Sequence, residues 1–288
     1  MLCAKWVTAL LLLAAGMAHG GESFTFVQLC DPQLGAGGLA HDTDTLGKAV
    51  AQINALKPAF VVFCGDYTET PGDEAATRAF NEIAAGLAMP YHLVPGNHDV
   101  GPGSVRTSVG QYKRRYGADR FSVDHGGWRF VGVNTALWVH EDARATAEQD
   151  AWFEEALREG KARGLHLAVA QHVPPFVLTP GEADGYGNLP LARRTWLLGV
   201  LREHGVRLLL AGHVHANLRH RHGETVIAMT ASTSINRDNA PMGFRLWTAH
   251  EDGTLEDRYV AVEGAAPPPE QAGLARSTVS EMLQKLLP

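Results

Sequence analysis

Cysteine and charge are both scarce in this sequence, and each shortage excludes a class of protein. Three cysteines in 288 residues cannot build a disulfide scaffold. Charged residues make up only 19% of the chain, against 45% hydrophobic, and form no long like-charge blocks, so disorder, coiled coil and collagen are poor fits. Positive charge is in deficit. With 25 Lys and Arg against 31 Asp and Glu, a net charge of -6, no surplus field exists to grip a phosphate backbone, and nucleic acid is not an expected partner. Apolar runs are short as well. The N-terminal run from Trp6 to Ala15 is about half of the ~20 residues that a spanning helix needs, so no stable membrane anchor is expected. Internal repeats and low-complexity tracts are missing too. What remains is a globular body long enough to bury a sizeable core.

Lys5, the apolar run and the small-residue site Ala18-His19-Gly20 stand in the order of a cleaved export signal. Residues 1–20 are therefore expected to be removed, leaving a periplasmic or extracellular chain that begins near Gly21. No Leu-x-x-Cys lipobox surrounds Cys3. Cys30 and Cys64 each end an apolar run and are expected to be packed, unpaired thiols without the neighbours of a thiol protease. A domain is expected over residues 21–264. Beyond it, Pro267-Pro268-Pro269 reads as a stiff connector within residues 265–288. There Thr278 and Glu281 form a capping-box pattern, and Val279, Met282, Leu283, Leu286 and Leu287 share one face of an amphipathic helix. Such a helix can dock on its own domain or on a partner, and oligomeric state does not follow from it.

Between these ends, short apolar runs alternate with stretches of helical period, the pattern of an α/β layered protein. Strands are expected at Ser23 to Cys30, Ala59 to Cys64 and Tyr91 to Val94, with helices from Asp42 to Leu56 and from about Asp73 to Ala88. These make two successive βαβ units, with parallel pairing and right-handed crossovers. Phe121 to Asp124 and Trp128 to Asn134 flank Gly126-Gly127 as a hairpin. Thr146-Ala147-Glu148-Gln149 reads as a capping box opening a helix to about Arg163. Further strands are expected at Leu165 to Gln171, Val206 to Ala211 and Thr225 to Thr230, and Phe244 to Ala249 and Leu255 to Val262 as antiparallel additions. The mixture implies two packed sheets flanked by helices in one domain.

Chemistry-bearing residues recur at one place in this scheme. Asp31-Pro32-Gln33, Gly65-Asp66, Gly96-Asn97-His98-Asp99, Gln171-His172 and Gly212-His213-Val214-His215 each follow a strand. In parallel sheets ligands gather outside the carboxyl ends of strands, so these carboxylates, amides and imidazoles can converge, a donor set suited to a pair of divalent or trivalent ions. Fourteen histidines are too many for all to be functional. Only four of them occupy such strand ends. Thr179 to Pro190, glycine-rich and containing Tyr186, follows His172 closely enough to form either a pocket rim or a plain surface loop.

The ordered set Asp-x-Gln, Gly-Asp, Gly-Asn-His-Asp, His and Gly-His-x-His, over about Phe24 to Val262, resembles the signature of the calcineurin-like metallophosphoesterases. Asp-Pro-Gln and the segment Gln171-His172-Val173-Pro174 are most similar to the branch typified by calcineurin-like phosphoesterase domain-containing protein 1. The resemblance implies a four-layer α-β-β-α sandwich of two mixed sheets flanked by helices. It further implies that Asp66 bridges two ions, with Asp31, Gln33 and His215 completing one site and Asn97, His172 and His213 the other. His98 matches the family's non-ligand histidine, which binds a phosphoryl oxygen and can protonate the leaving group, oriented by Asp99 or by Glu69. Gln33 departs from the commoner histidine. As a direct ligand its harder oxygen donor is expected to favour manganese, iron or magnesium over zinc at the first site, the alternative being that Gln33 only hydrogen-bonds a metal-bound water.

The implied function is a dinuclear-metal phosphoesterase in which a hydroxide between the ions attacks phosphorus. A phosphomonoesterase acting on a phosphoprotein or small phosphorylated molecule is the first reading. A phosphodiesterase or nucleotidase on the same ions is the alternative. A catalytically inactive binding scaffold is remote, because every expected position holds a competent donor.

Overall fold

The structure, a computed structural model, describes residues 23–101, 104–140 and 142–268. The expected export signal and C-terminal helix lie outside the described residues. Two mixed sheets carry the chain. The first combines β1 (Phe24–Leu29), β2 (Val61–Phe63) and β3 (Tyr91–Leu93), mutually parallel, with α1 (Leu39–Leu56) and α2 (Glu74–Ala84) as crossovers. The short α3 (Asn97–Val100) and α4 (Val105–Tyr116) then lead into the second sheet. Its hairpin strands are β4 (Phe121–His125) and β5 (Trp128–Gly132), followed by α5 (Ala136–Val139), α6 (Ala143–Ala162), β6 (His166–Ala170), α7 (Leu191–His204), β7 (Leu208–Ala211), β8 (Leu218–His222) and β9 (Thr225–Met229). Finally β10 (Gly243–Ala249) and β11 (Leu255–Ala261) return to the first sheet as antiparallel strands. The strand orders are β11-β10-β1-β2-β3 and β4-β5-β6-β7-β9-β8. None of the described helices is long and apolar enough to cross a membrane.

The central strands read as unbroken apolar runs because both of their faces are buried. From β1 and β2, Val27, Leu29, Val61 and Phe63 point outward onto Leu46, Ile53 and Phe80 of the flanking helices. Phe26, Cys30, Val62 and Cys64 point inward, into a layer shared with Phe130, Ala168, Ala170, Leu208 and Leu210 of the second sheet. The outer face of that sheet, with Val131, Leu167, Val169 and Leu209, is covered by Phe153 and Leu157 of α6 and by Leu197 and Leu201 of α7. This is the expected helix-sheet-sheet-helix sandwich. Each fully buried large aliphatic or aromatic side chain contributes about 1.5–3 kcal/mol through apolar burial. At the centre Phe26 stacks on Phe60 at 5.3 Å and meets Phe130 edge-on at 4.9 Å. One polar side chain is embedded there. Gln28 donates to the carbonyls of Ala211 and Ala228 and accepts from the Trp247 indole, which ties the two sheets together.

Two helix starts differ from expectation. α1 begins at Leu39 rather than Asp42, because the Asp42 carboxylate accepts the amides of Gly35 and Gly37 in the preceding loop. α6 begins at Ala143, capped by Asp142, which accepts the Ala145 amide. The expected capping box at Thr146-Gln149 is therefore corrected: Thr146 donates to the Leu137 carbonyl and Gln149 is buried against the backbone of Asn134. Cys30 and Cys64 are buried and unpaired, as their positions at the ends of apolar runs imply.

Candidate active site

β1, β2 and β7 each run into left-handed backbone just past their ends, and these turns carry several of the side chains of interest. Asp31, Gln33, Asp66, His213 and His215 all adopt left-handed backbone, five of the seven non-glycine residues that do so among those described. Such a conformation costs of order 1 kcal/mol or more for an L-residue with a Cβ, so the local fold is held by its surroundings rather than by propensity. Two glycines make the close approach possible. A Cβ on Gly96 would collide with the Asp66 carboxylate, and one on Gly212 with that of Asp31.

The resulting cluster has a division of labour by sheet. Oxygen-bearing side chains come from the first sheet, with Asp31 and Gln33 after β1, Asp66 after β2 and Asn97 after β3. Nitrogen-bearing ones come from the second, with His172 after β6 and His213 and His215 after β7. Asp66, His172 and His213 bring one donor atom each within 4.8 Å of one another. His172 Nε2 lies 3.0 Å from Asp66 Oδ2 and 3.0 Å from Asn97 Oδ1. Asp31 and His215 adjoin this group: Asp31 accepts the His213 amide at 3.0 Å, and His215 Nε2 stands 3.5 Å from its carboxylate. Gln33 enters differently. Its amide nitrogen donates to Glu69 at 2.6 Å, while its Oε1 is buried and has no hydrogen-bond partner.

Each of the three imidazoles is oriented by a backbone carbonyl on its other nitrogen. His172 Nδ1 meets Cys64 O at 2.7 Å, His213 Nε2 meets Tyr186 O at 2.7 Å, and His215 Nδ1 meets Ile235 O at 2.7 Å. This fixes ring orientation and leaves His172 Nε2, His213 Nδ1 and His215 Nε2 toward the cluster, the arrangement that metal-ligating histidines commonly show.

Charge is distributed unevenly over the group. Burial opposes charge on both Asp66 and His172, yet their mutual attraction overcomes it, holding Asp66 down at about 2 and lifting His172 to about 10, with Asp31 adding to the latter. Burial and the neighbouring His172 charge push His213 down to about 4. His98 lies at the edge of the cluster. Burial opposes its charge too, but attraction to Asp66 and the bond from Nδ1 to the Glu69 carbonyl, at 2.6 Å, raise its pKa.

Of the two candidates for orienting His98, the geometry selects Glu69. Asp99 turns away from it and accepts the amides of Asp66, Tyr67 and Gly96 at 2.7–2.8 Å, clamping the loops after β2 and β3 together. Burial and the Asp66 charge push Asp99 up to about 7 in spite of those three bonds. The Thr179–Pro190 loop does border the site: the Tyr186 hydroxyl accepts from Asn97 Nδ2 at 3.0 Å. A cavity of about 580 Å³ opens beside His98, Asn97 and His213, partly walled by Tyr186 and by Ala136 and Val139 of α5. The α5 contribution has no signal in the sequence, because four residues are too few to show a period.

A family model described as calcineurin-like phosphoesterase matches residues 24–217, a span that runs from before Asp31 to beyond His215. The chain is 27% identical to the serine/threonine-protein phosphatase CPPED1 of Danio rerio, over 92% of this chain and 90% of that protein. It is 31% identical to the Homo sapiens protein of the same name, over 69% and 67% respectively. Among solved structures, a dimetal phosphatase from Danio rerio shares the fold, with a TM-score of 0.62 at 18% identity over 83% of this chain and 99% of that one. The family match covers every one of these strand-end positions, and it agrees with the two-sheet architecture. The chain belongs to the calcineurin-like phosphoesterase family, metal-dependent hydrolases of phosphate esters.

Proposed function

We propose that the chain is a phosphomonoesterase working with two divalent or trivalent ions on a phosphorylated protein or small molecule, exported after removal of residues 1–20. The observation that carries this reading is the gathering of three further oxygen-bearing side chains, Asp31, Gln33 and Asn97, and three imidazoles about Asp66. The donor set fits such ions: the buried Gln33 Oε1 lacks a partner, and the three imidazoles are pre-oriented by carbonyls. Asp31, Gln33 and His215 would hold one ion, Asn97, His172 and His213 the other, and Asp66 both. Bound there, the ions supply Lewis acidity that neutralises phosphoryl oxygens and acidifies water.

The chain's own groups do the rest. His98, with Nδ1 held by the Glu69 carbonyl, presents Nε2 to a phosphoryl oxygen and delivers a proton to the leaving oxygen. Asn97 contacts the same phosphoryl group, its amide nitrogen fixed by Tyr186. Asp99 keeps the loops of Asp66 and Asn97 in register. The monoester preference is supported by the relatives named serine/threonine-protein phosphatases. A panel of phosphomonoesters and diesters, run with purified protein before and after chelation, tests the reading. Asp66→Asn is expected to lose the most turnover of any single donor substitution, by roughly 10²-fold or more, together with bound metal. Undiminished hydrolysis after verified metal removal would overturn the proposal.

A further inference from the structure

We infer that the cavity beside the donor cluster receives an uncharged aromatic leaving group, with the Tyr186 ring as its selecting wall; this rests on the phosphomonoesterase reading. The cavity of about 580 Å³ falls within the ~300–1,000 Å³ of small-molecule sites. His98, Asn97 and His213 of the donor cluster, where a phosphoryl group would sit, belong to its lining together with Pro71, Ala136, Val139, Val173, Pro190 and Tyr186. The described residues lining it include no lysine or arginine. Its two carboxylates are already engaged: Glu69 with Gln33 and His98, Asp184 with the Leu191 amide and with the Arg194 guanidinium at 3.6 Å. Arg237, whose charge reaches the Tyr186 hydroxyl, stands outside the lining. A leaving group with its own phosphate or carboxylate would find no lysine or arginine in that lining, where the basic side chains are the imidazoles of His98, His140 and His213.

Tyr186 is suited to choosing a ring. It is 64% exposed, which leaves a large aromatic face for a ligand to cover. It cannot swing freely, because its ring lies 4.7 Å from that of His213, its hydroxyl accepts from Asn97 and its carbonyl holds His213. The loop that carries it is pinned from behind. Glu182 accepts the amides of Val177, Leu178 and Thr179 at 2.7–3.0 Å, and the fully buried Arg194 donates to the carbonyls of Pro180, Glu182 and Leu189. An aromatic wall fixed in advance loses little side-chain entropy when a ligand covers it.

The test compares benzyl phosphate with ethyl phosphate, whose leaving alcohols are similarly basic, so that the ratio reports the pocket and not intrinsic reactivity. For the metal-loaded full chain, kcat/KM is expected to favour benzyl by about tenfold or more, a ratio falling to within about twofold in Tyr186→Ala but kept in Tyr186→Phe. Val139→Asp, on an exposed wall position, should also reduce it. Calorimetry with benzylphosphonate and ethylphosphonate provides a readout without turnover, and the same ratio of affinities is expected. Equal affinities, or preference for phosphoserine or phosphocholine over benzyl phosphate, overturn the inference while leaving a phosphomonoesterase. Hydrolysis of diesters alone overturns the phosphomonoesterase reading, and the phosphonate ratio then decides the aromatic pocket by itself.

Discussion

His172 faces an acceptor on each ring nitrogen, the Asp66 carboxylate on Nε2 and the Cys64 carbonyl on Nδ1, an arrangement that favours its protonated form. Its pKa, lifted to about 10, means that an ion arriving at neutral pH displaces a proton, whereas His213, held down at about 4, is already neutral there. Metal loading at pH 7 is therefore expected to release about one proton from this pair, and affinity should rise with pH up to about 10, by about tenfold per unit. Calorimetry in two buffers of different ionisation enthalpy measures the proton count; a count of zero would show that His172 is not protonated. Gln33 carries a second expectation at this scale. Its orphaned Oε1 offers a hard oxygen, so Gln33→His should raise the zinc preference of its site, by roughly tenfold in relative affinity. Metal titrations of the two proteins decide it, and unchanged preference would remove Gln33 from the selecting set. Such residues are legible in the sequence because they follow apolar runs with glycine or proline close by. Tyr186 is only half legible: its loop can be placed near the site, but the carbonyl that orients His213 is a backbone atom that any residue possesses.

Among the elements, the 177–190 loop shows how an irregular segment becomes a fixed wall. Burial disfavours the Glu182 carboxylate, but three backbone amides and Asn188 outweigh it and lower its pKa. A lowered carboxylate contributes stability that is whole above its ordinary value of 4.5 and is lost as pH falls through the folded-state value. Amide exchange at Val177, Leu178 and Thr179 should thus accelerate on acidification below about pH 4.5, once corrected for intrinsic rates. Glu182→Gln should abolish that acid dependence and cost about 1–2 kcal/mol locally. Persistence of the acid step in the variant would assign it elsewhere. The central strands and α1 and α2 are readable from apolar run length and period. β8 is not, because its sequence Leu218-Arg-His-Arg-His is an edge strand with charged residues and little apolar alternation. α7 escapes for a different reason: buried Leu197, Leu198, Val200 and Leu201 follow one another too closely to form a clean stripe. The start of α6 misleads because Thr146 and Gln149 have the right spacing for a cap but are drawn to Leu137 and Asn134 by the tertiary fold.

For the whole molecule, the division between oxygen donors on one sheet and nitrogen donors on the other makes any shared ion a link across the sandwich. Binding should stabilise the entire fold by about 2.7 kcal/mol at a free metal concentration a hundredfold above Kd, and chelation should lower the melting temperature accordingly. A scan with and without chelator checks this, and coincident melting curves would mean that metal does not bind the native fold appreciably more tightly than the unfolded chain. The linked sheets are otherwise joined by the aromatic layer around Phe26 and by the Gln28 amide. Toward the strand ends that lead into the donor loops, that layer includes the small side chains of Cys30, Cys64, Ala168 and Ala170. The oxygen half alone would suit hard ions such as magnesium, and the imidazole half alone would suit zinc or copper. Those four small residues lie in the layer between the halves, and none of them is a proposed donor. Enlarging Ala168 or Ala170 would push the imidazoles away from the carboxylates, so the metal appetite of the protein can drift by changes in its core while every donor stays in place.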